Sequence, residues 1–87
     1  KSYLYLAKIY ENEENEIEEE KNLNTTLLLE PDNEEAMYML IDIKLEKSDI
    51  EKAKVLMKKF EVICENLCPN MDSINERLNN IDVKNES

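Results

Sequence analysis

The sequence predicts an all-α fold assembled from antiparallel helix pairs, and three observations indicate it. Apolar residues recur three and four positions apart in five successive segments, which is the spacing of one helix face. No segment alternates apolar and polar residues as a half-buried strand does, and glycine is absent from all 87 residues. The second half of the chain also superimposes on the first when Tyr3 is aligned with Met37. A chain of this length forms one small domain with a modest core.

The first helix pair is predicted over residues 1–31. Its opening helix carries an apolar face at i, i+3, i+4 and i+7, formed by Tyr3, Leu6, Ala7 and Tyr10. A turn is predicted near residues 12–15, where asparagines favour capping or turning of the chain. The second helix then runs from Glu16 to Leu29, because an acidic first turn suits the helix dipole and Pro31 prevents continuation. Its expected apolar residues are Ile17, Leu23, Leu27 and Leu28.

The second helix pair is predicted over residues 32–68. Asp32 or Asn33 caps its first helix. The expected buried stripe of that helix is Met37, Leu40, Ile41 and Leu45. Asp49 caps the next helix, which has the longest amphipathic pattern in the chain. The apolar residues of this pattern are Ile50, Ala53, Leu56, Met57, Phe60 and Ile63.

A weaker helix is predicted over residues 69–82, as a partial third repeat or a capping helix. Pro69 precedes its apolar face, which consists of Met71, Ile74, Leu78 and Ile81. Residues 83–87 are expected to form a polar, frayed tail. Because the chain opens at Lys1 inside an apolar pattern, we expect it to be a piece of a longer protein.

Composition excludes several classes of function. Twenty-one acidic and 11 basic residues leave a formal charge of −10, which repels phosphate backbones, so we expect no nucleic-acid partner. No apolar run approaches the roughly 18–20 residues that span a bilayer, so we expect no membrane partner. The absence of histidine and glycine removes the commonest general base and all phosphate-binding glycine loops. We therefore expect no catalytic residue, no metal and no cofactor.

Two charged clusters are interpreted as solvated surface. The segment Glu11–Glu20 contains seven glutamates, which we interpret as a turn and helix start, since a calcium loop requires a glycine. Four lysines lie on the fourth helix, which we assign to the outer, solvated face while leaving an acidic partner open. They are Lys52, Lys54, Lys58 and Lys59.

Cys64 and Cys68 would share one helix face if the fourth helix persisted through both. A metal site would need two further ligands, and a disulfide along one continuous helix would be strained. We therefore expect free, structural cysteines, which behave as small apolar groups. So low a cysteine content predicts a reducing, cytoplasmic location.

The internal repeat is carried by equivalent positions on the two helix pairs. The alignment places Tyr3 on Met37, Leu6 on Leu40, Ala7 on Ile41, Leu23 on Met57 and Thr26 on Phe60. This pattern resembles the tetratricopeptide repeat (TPR), whose helix–turn–helix unit has a period of about 34 residues. The resemblance implies an α-solenoid of two repeats plus a C-terminal helix. The chain departs from the TPR pattern at Glu19, where an alanine is expected, and at Ile41, Lys44 and Pro69.

The TPR resemblance implies a non-catalytic scaffold that binds a partner helix or peptide on its concave face, which the first helix of each pair lines. By register, the first repeat presents Leu4, Lys8 and Glu11 there, and the second presents Tyr38, Asp42 and Leu45. Tyr38 is the expected anchor, since aromatic residues dominate binding hot spots, with packing between repeats as its alternative role. Exposed repeat ends would also allow self-association.

Residues 6–10 and 36–47 are similar to the many-repeat TPR subunit of intraflagellar transport complex A, which would imply a ciliary location. The alternative fold is a plain helical bundle or a coiled-coil oligomerisation domain. Pro31 and Pro69 disfavour the coiled coil, because each interrupts any continuous heptad pattern.

Overall fold

Five α-helices and a one-turn 3₁₀ helix form between residues 3 and 86, which the computed structural model describes; it describes side chains for residues 3–80. The α-helices are α1 (Tyr3–Asn12), α2 (Glu16–Leu29), α3 (Glu34–Glu46), α4 (Ile50–Ile63) and α5 (Met71–Glu86). The 3₁₀ helix, Cys68–Asn70, leads directly into α5. The prediction of an all-α fold is confirmed.

The α1–α2 turn and the α3–α4 turn have the same backbone design at positions that the repeat alignment equates. In the first, the Asn15 N–H donates to the Tyr10 carbonyl at 2.9 Å; in the second, the Asp49 N–H donates to the Lys44 carbonyl at 2.8 Å. Each bond spans five positions of sequence and closes a Schellman motif, which requires a left-handed residue just before the donor. In this glycine-free chain the left-handed residues are Glu14 (φ 58°) and Ser48 (φ 59°).

Side-chain caps fix the beginnings of three helices. The side-chain oxygens of Asn15, Asn33 and Asp49 each accept the backbone N–H three residues further on, at 3.3, 2.9 and 3.4 Å. Such a cap satisfies one of the four N–H groups that a helix start leaves without an intrahelical partner. The capping role of Asp49 is therefore confirmed, and Asn33 rather than Asp32 caps α3.

Helix α3 lies at the centre of the packing and divides the core into two clusters. One cluster lies between α3, α4 and α5, and its buried residues are Met37, Ile41, Leu45, Ala53, Met57, Phe60, Ile74 and Leu78. The other lies between α1, α2 and α3, and comprises Ala7, Leu23, Ala36, Met39, Leu40 and Ile43. The predicted stripe of α3 is buried, and further buried residues flank it because neighbouring helices cover α3 on more than one side.

Two expectations need correction, one about the apolar residues of α2 and one about the end of α5. The apolar pattern predicts Ile17 and Leu28 in the core of the first pair, but they are 77% and 80% exposed, because α1 and α3 cover other faces of α2. A frayed tail is predicted from Val83, but α5 continues through Glu86, since no proline or glycine follows Pro69 to end it. Ser87 and the side chain of Ile81 lie outside the described residues.

Candidate interaction groove and acidic cavity

A groove of about 890 Å³ lies between α1, the first half of α3 and the segment that follows α4. Its lining combines apolar side chains with amides and charged groups. From α1 come Leu4, Lys8, Glu11 and Asn12; from α3 and its cap come Asn33, Glu34, Glu35, Tyr38 and Met39; after α4 come Asn66, Leu67 and Asn70. A concave surface of mixed polarity is the usual form of a ligand site in proteins.

Four of the six residues assigned to a concave face from the sequence line this groove: Leu4, Lys8, Glu11 and Tyr38. The other two lie elsewhere. Asp42 faces a second cavity and accepts a hydrogen bond from the Arg77 guanidinium on α5. Leu45 is 2% exposed in a core cluster, so its assignment to the buried stripe of α3 is confirmed and its assignment to the concave face is wrong. Helix α5 packs against α3 and α4, and its residues Ile74 and Leu78 belong to the same core cluster as Leu45.

Tyr38 connects the groove to the core. Its ring lies 6.1 Å from that of Phe60, centroid to centroid, with the two planes inclined at 41°. The residue is half-buried, packs against the core cluster of α3, α4 and α5, and also lines the groove. Both roles foreseen for Tyr38 are therefore compatible with its position, since packing on Phe60 holds one part of the ring while another part borders the groove.

The amide side chains of the groove are available for hydrogen bonding. Those of Asn12, Asn66 and Asn70 make no hydrogen bond to any described residue, although all three residues line the groove. A side-chain amide carries both donors and an acceptor, so it can pair with the N–H and C=O of an extended peptide. The Lys8 ammonium, by contrast, is paired with the Glu35 carboxylate across the α1–α3 interface.

The carboxylate of Glu34 organises the segment after α4. It accepts the backbone N–H of Asn66 at 3.0 Å and that of Leu67 at 3.2 Å, and also the N–H of Glu65. Successive N–H groups that converge in this way form an anion-binding nest, and here a carboxylate of the same chain fills it. Sequence reasoning missed this role, because no local signal connects a glutamate at a helix start with a loop so distant in the sequence.

A disulfide joins Cys64 and Cys68, so the expectation of free cysteines is wrong. That expectation assumed one continuous helix. Instead α4 ends at Ile63, Cys64 is extended (φ −65°, ψ 142°), and the chain folds back until the two Cα atoms are 5.3 Å apart. This separation lies within the range that disulfides require. Because disulfides are typical of oxidising compartments, the cysteine content no longer supports a cytoplasmic location.

A second cavity, of about 360 Å³, is enclosed by carboxylates from the α1–α2 region and α3. Its lining consists of Glu11, Glu14, Glu16, Glu19, Asp42, Ile43 and Glu46. The interpretation of the whole glutamate-rich segment as solvated is wrong for Glu19, which is only 6% exposed. Burial, and secondarily the nearby carboxylates of Glu11 and Glu16, raise the pKa of Glu19 to about 7. We call this feature the acidic cavity.

Next to the acidic cavity, an ion-pair network connects α2 with α3 and shares Glu16 with the cavity lining. The Lys44 ammonium pairs with the Glu20 carboxylate, and both side chains are largely buried, at 15% and 20% exposed. Lys47 lies 3.3 Å from Glu20 and 3.6 Å from Glu16. The hydrogen bond from Lys44 lowers the pKa of Glu20, and the hydrogen bond to Glu20 raises the pKa of Lys47. The basic groups between α2 and α3, Lys44 and Lys47, are therefore both paired with carboxylates of α2.

The lysines of α4 are exposed, as their assignment to an outer face predicts, and none forms an ion pair with a described residue. Across residues 3–80, no group of three or more Cys, Asp or Glu side chains is arranged to hold a metal ion. Within the same described part of the chain, no helix has the length and apolar character needed to cross a membrane.

No protein-family model, no curated protein and no solved structure matches this chain.

Proposed function

We propose that this chain is a non-catalytic protein-interaction module of the TPR type, in which stacked antiparallel helix pairs present a groove to a partner helix or extended peptide. The observation that carries the proposal is the groove between α1 and α3, which combines apolar side chains with unpaired amides. Apolar side chains can accept those of a partner, while the amides can bind its backbone. The mechanism is geometric, since rigid helices hold the groove open before binding.

The repeated turn design supports the TPR part of the proposal. Left-handed residues, Schellman bonds and helix caps recur at equivalent repeat positions in the α1–α2 and α3–α4 turns. Positions that the alignment equates are also buried in both pairs: Leu23 with Met57, and Thr26 with Phe60. A repeat built in this way leaves apolar surface at its ends, which we propose is covered by further repeats or by self-association.

A plain helical bundle is the alternative, and one observation favours it. Helix α5 packs against both α3 and α4 and buries Ile74 and Leu78, as the last helix of a closed bundle would. In that case the chain would act as an oligomerisation domain rather than as a peptide-binding scaffold. Sedimentation equilibrium combined with cross-linking from the groove separates the two proposals, since an oligomerisation domain forms a defined oligomer and needs no partner in the groove.

Site-specific photo-cross-linking tests the interaction proposal. We would replace Lys8, on the groove, with p-benzoylphenylalanine and use Lys54, an exposed lysine of α4 outside the groove, as the matched control. After irradiation in native lysate, the Lys8 position should yield a discrete cross-linked protein that the Lys54 position does not. Equal cross-linking from both positions would show that the groove is not a preferred binding surface.

A variant of the anchor residue makes the test specific. Tyr38→Ala should remove the cross-link from the Lys8 position, because the partner loses its aromatic contact. Since Tyr38 also packs on Phe60, Tyr38→Leu serves as a second variant that retains most of the apolar volume. If both variants remain folded by circular dichroism and still cross-link as strongly as the wild type, the groove proposal is wrong.

A further inference from the structure

Glu19 is a buried carboxylate without a cation. It lines the acidic cavity, is 6% exposed, and has no ion pair or side-chain hydrogen bond with any described residue. Burying a charge without a partner is costly, so such groups either lose their charge or receive a counter-ion. The raised pKa of Glu19 reflects this cost, because burial disfavours the ionised form of the carboxyl group.

Helix packing does not explain why a glutamate occupies this position. The repeat alignment equates Glu19 with Ala53, which is fully buried in the second helix pair. A methyl group is therefore sufficient to fill the equivalent place, and a carboxylate is the more costly choice for stability. Residues that lower stability in this way are characteristic of binding sites rather than of scaffolds.

Cations of the described residues pair with two carboxylates of the acidic cavity, Glu16 and Asp42, but not with Glu19. Lys44 and Lys47 are paired with Glu20, and Lys47 also with Glu16. Arg77, the one arginine in the sequence, is paired with Asp42 at the edge of the cavity. A cation that pairs with Glu19 would therefore come from outside the described residues.

The shape and lining of the cavity indicate which cation fits. No group of three or more described carboxylates is arranged to hold a metal ion, and we therefore consider a polyatomic cation. A guanidinium has five N–H donors in a plane and is more weakly hydrated than an ammonium, so it suits several carboxylates that come from different helices. Arg77 already binds Asp42 with this group.

We propose that the acidic cavity binds the guanidinium group of an arginine side chain supplied by another protein. Glu19 is its buried counter-ion, and two carboxylates of α3, Asp42 and Glu46, accept further hydrogen bonds from the guanidinium. Glu11 lines both this cavity and the groove, so a peptide in the groove could place an arginine there. Binding in the cavity does not require a peptide in the groove, however, and we expect an isolated arginine side chain to bind there.

The test is an NMR titration of the ¹⁵N-labelled chain with N-acetyl-arginine methylamide at pH 7.5 and low ionic strength. We expect saturable shifts confined to amides around Glu19 and Ile43. N-acetyl-citrulline methylamide, which has nearly the same shape without the charge, should give none. Binding should also move the titration of the Glu19 side-chain ¹³C signal to lower pH, because a cation favours the ionised carboxylate.

Charge-matched variants separate a site from general attraction to an acidic protein. Glu19→Gln should weaken binding about tenfold, and Glu46→Gln is a second variant at an exposed position of the cavity. Glu61→Gln removes the same charge from the exposed face of α4 and should leave the affinity unchanged. These small ligands do not require a protein partner, so failure here is distinguishable from failure of the cross-linking experiment.

Several results would overturn the inference. They are the absence of saturable shifts, equal shifts with the citrulline amide, and an equal loss of affinity in Glu19→Gln and Glu61→Gln. Equal or tighter binding of N-acetyl-lysine methylamide would reject the preference for a guanidinium. If calcium chloride produced the same shifts at lower concentration, the cavity would be a metal site instead.

Discussion

The carboxylate of Glu34, at the start of α3, accepts the backbone N–H of Asn66 at 3.0 Å across 32 positions of sequence. The neighbouring N–H groups of Glu65 and Leu67 point at the same carboxylate. The disulfide between Cys64 and Cys68 encloses these three residues. One side chain and one covalent bond therefore shape the same short loop, which leads into α5.

Removing the Glu34 carboxylate should destabilise the chain. We expect Glu34→Ala to lower the free energy of unfolding by about 1–2 kcal/mol, because several N–H groups lose a charged acceptor and are left to water. Urea denaturation measures the change. The control is Glu35→Ala, which loses the same favourable charge at the start of α3 but only a half-exposed ion pair with Lys8. Equal losses in the two variants would contradict the role of Glu34.

Reducing the disulfide should have a modest effect centred on the same loop. A closed loop of about five residues corresponds to roughly 2 kcal/mol of chain entropy, so we expect a loss no larger than that. Cys64→Ser combined with Cys68→Ser mimics reduction without added thiol. Combining this pair with Glu34→Ala should lower stability by less than the sum of the separate losses, since each restraint is effective only while the other orders the loop. Strict additivity would show that the two restraints act independently.

Stability should fall as the pH rises from about 5 to 8. The pKa of Glu19 is about 7 in the folded chain against an ordinary value of 4.5, so the unfolded chain ionises first. The stabilisation is complete below pH 4.5 and is lost through pH 7, by an amount on the order of 3 kcal/mol. The pKa of Glu46 is also raised, chiefly because the neighbouring helices partly desolvate its carboxylate, and it acts in the same direction. Urea denaturation at pH 5, 6, 7 and 8 measures this slope.

Glu19→Gln should flatten that slope, whereas Glu61→Gln should preserve it. Below pH 4.5 the trend reverses, because Lys44 lowers the pKa of Glu20 and the stabilisation from this pair is lost as Glu20 becomes protonated. We therefore expect maximum stability near pH 5. A chain that grows more stable between pH 5 and 8 would show that Glu19 is not buried without a counter-ion.

Replacing Ser48 with glycine should raise the stability of the fold. Ser48 has a φ of 59°, a region that costs roughly 1–2 kcal/mol for residues with a Cβ atom. Part of this gain is offset by the greater entropy of glycine in the unfolded chain, so Ser48→Gly should stabilise by about 0.5–1 kcal/mol. Thermal denaturation measures the gain. Ser73→Gly, at an exposed position in the first turn of α5, should instead give no stabilisation, because the backbone there is helical and only the entropic cost of glycine remains.

The positions of the helices could be predicted from the sequence because the signals for them are local. Helix caps and apolar faces act over one or two helical turns, so Asn33, Asp49 and the stripe of α3 were recognisable without knowledge of the fold. The internal repeat is likewise visible in the chain, and the two turns follow it in backbone conformation, with nearly equal φ at Glu14 and Ser48. Four groove residues followed from this register.

Long-range packing, by contrast, determines which residues are buried although the sequence pattern predicts them to be exposed. It also determines which residues distant in the sequence come into contact. The sequence pattern placed Leu45 both in the buried stripe of α3 and on the concave face, and only the packing of α3, α4 and α5 decides for the core. The pattern also allowed Glu19 to be solvated, whereas it lines the acidic cavity beside α3. The bond of Glu34 to the loop after α4 and the closure of Cys64 on Cys68 depend on where a helix stops and which segment lies opposite. Local patterns record the preferences of neighbouring residues, whereas burial and charge pairing depend on atoms that only folding brings within a few ångströms.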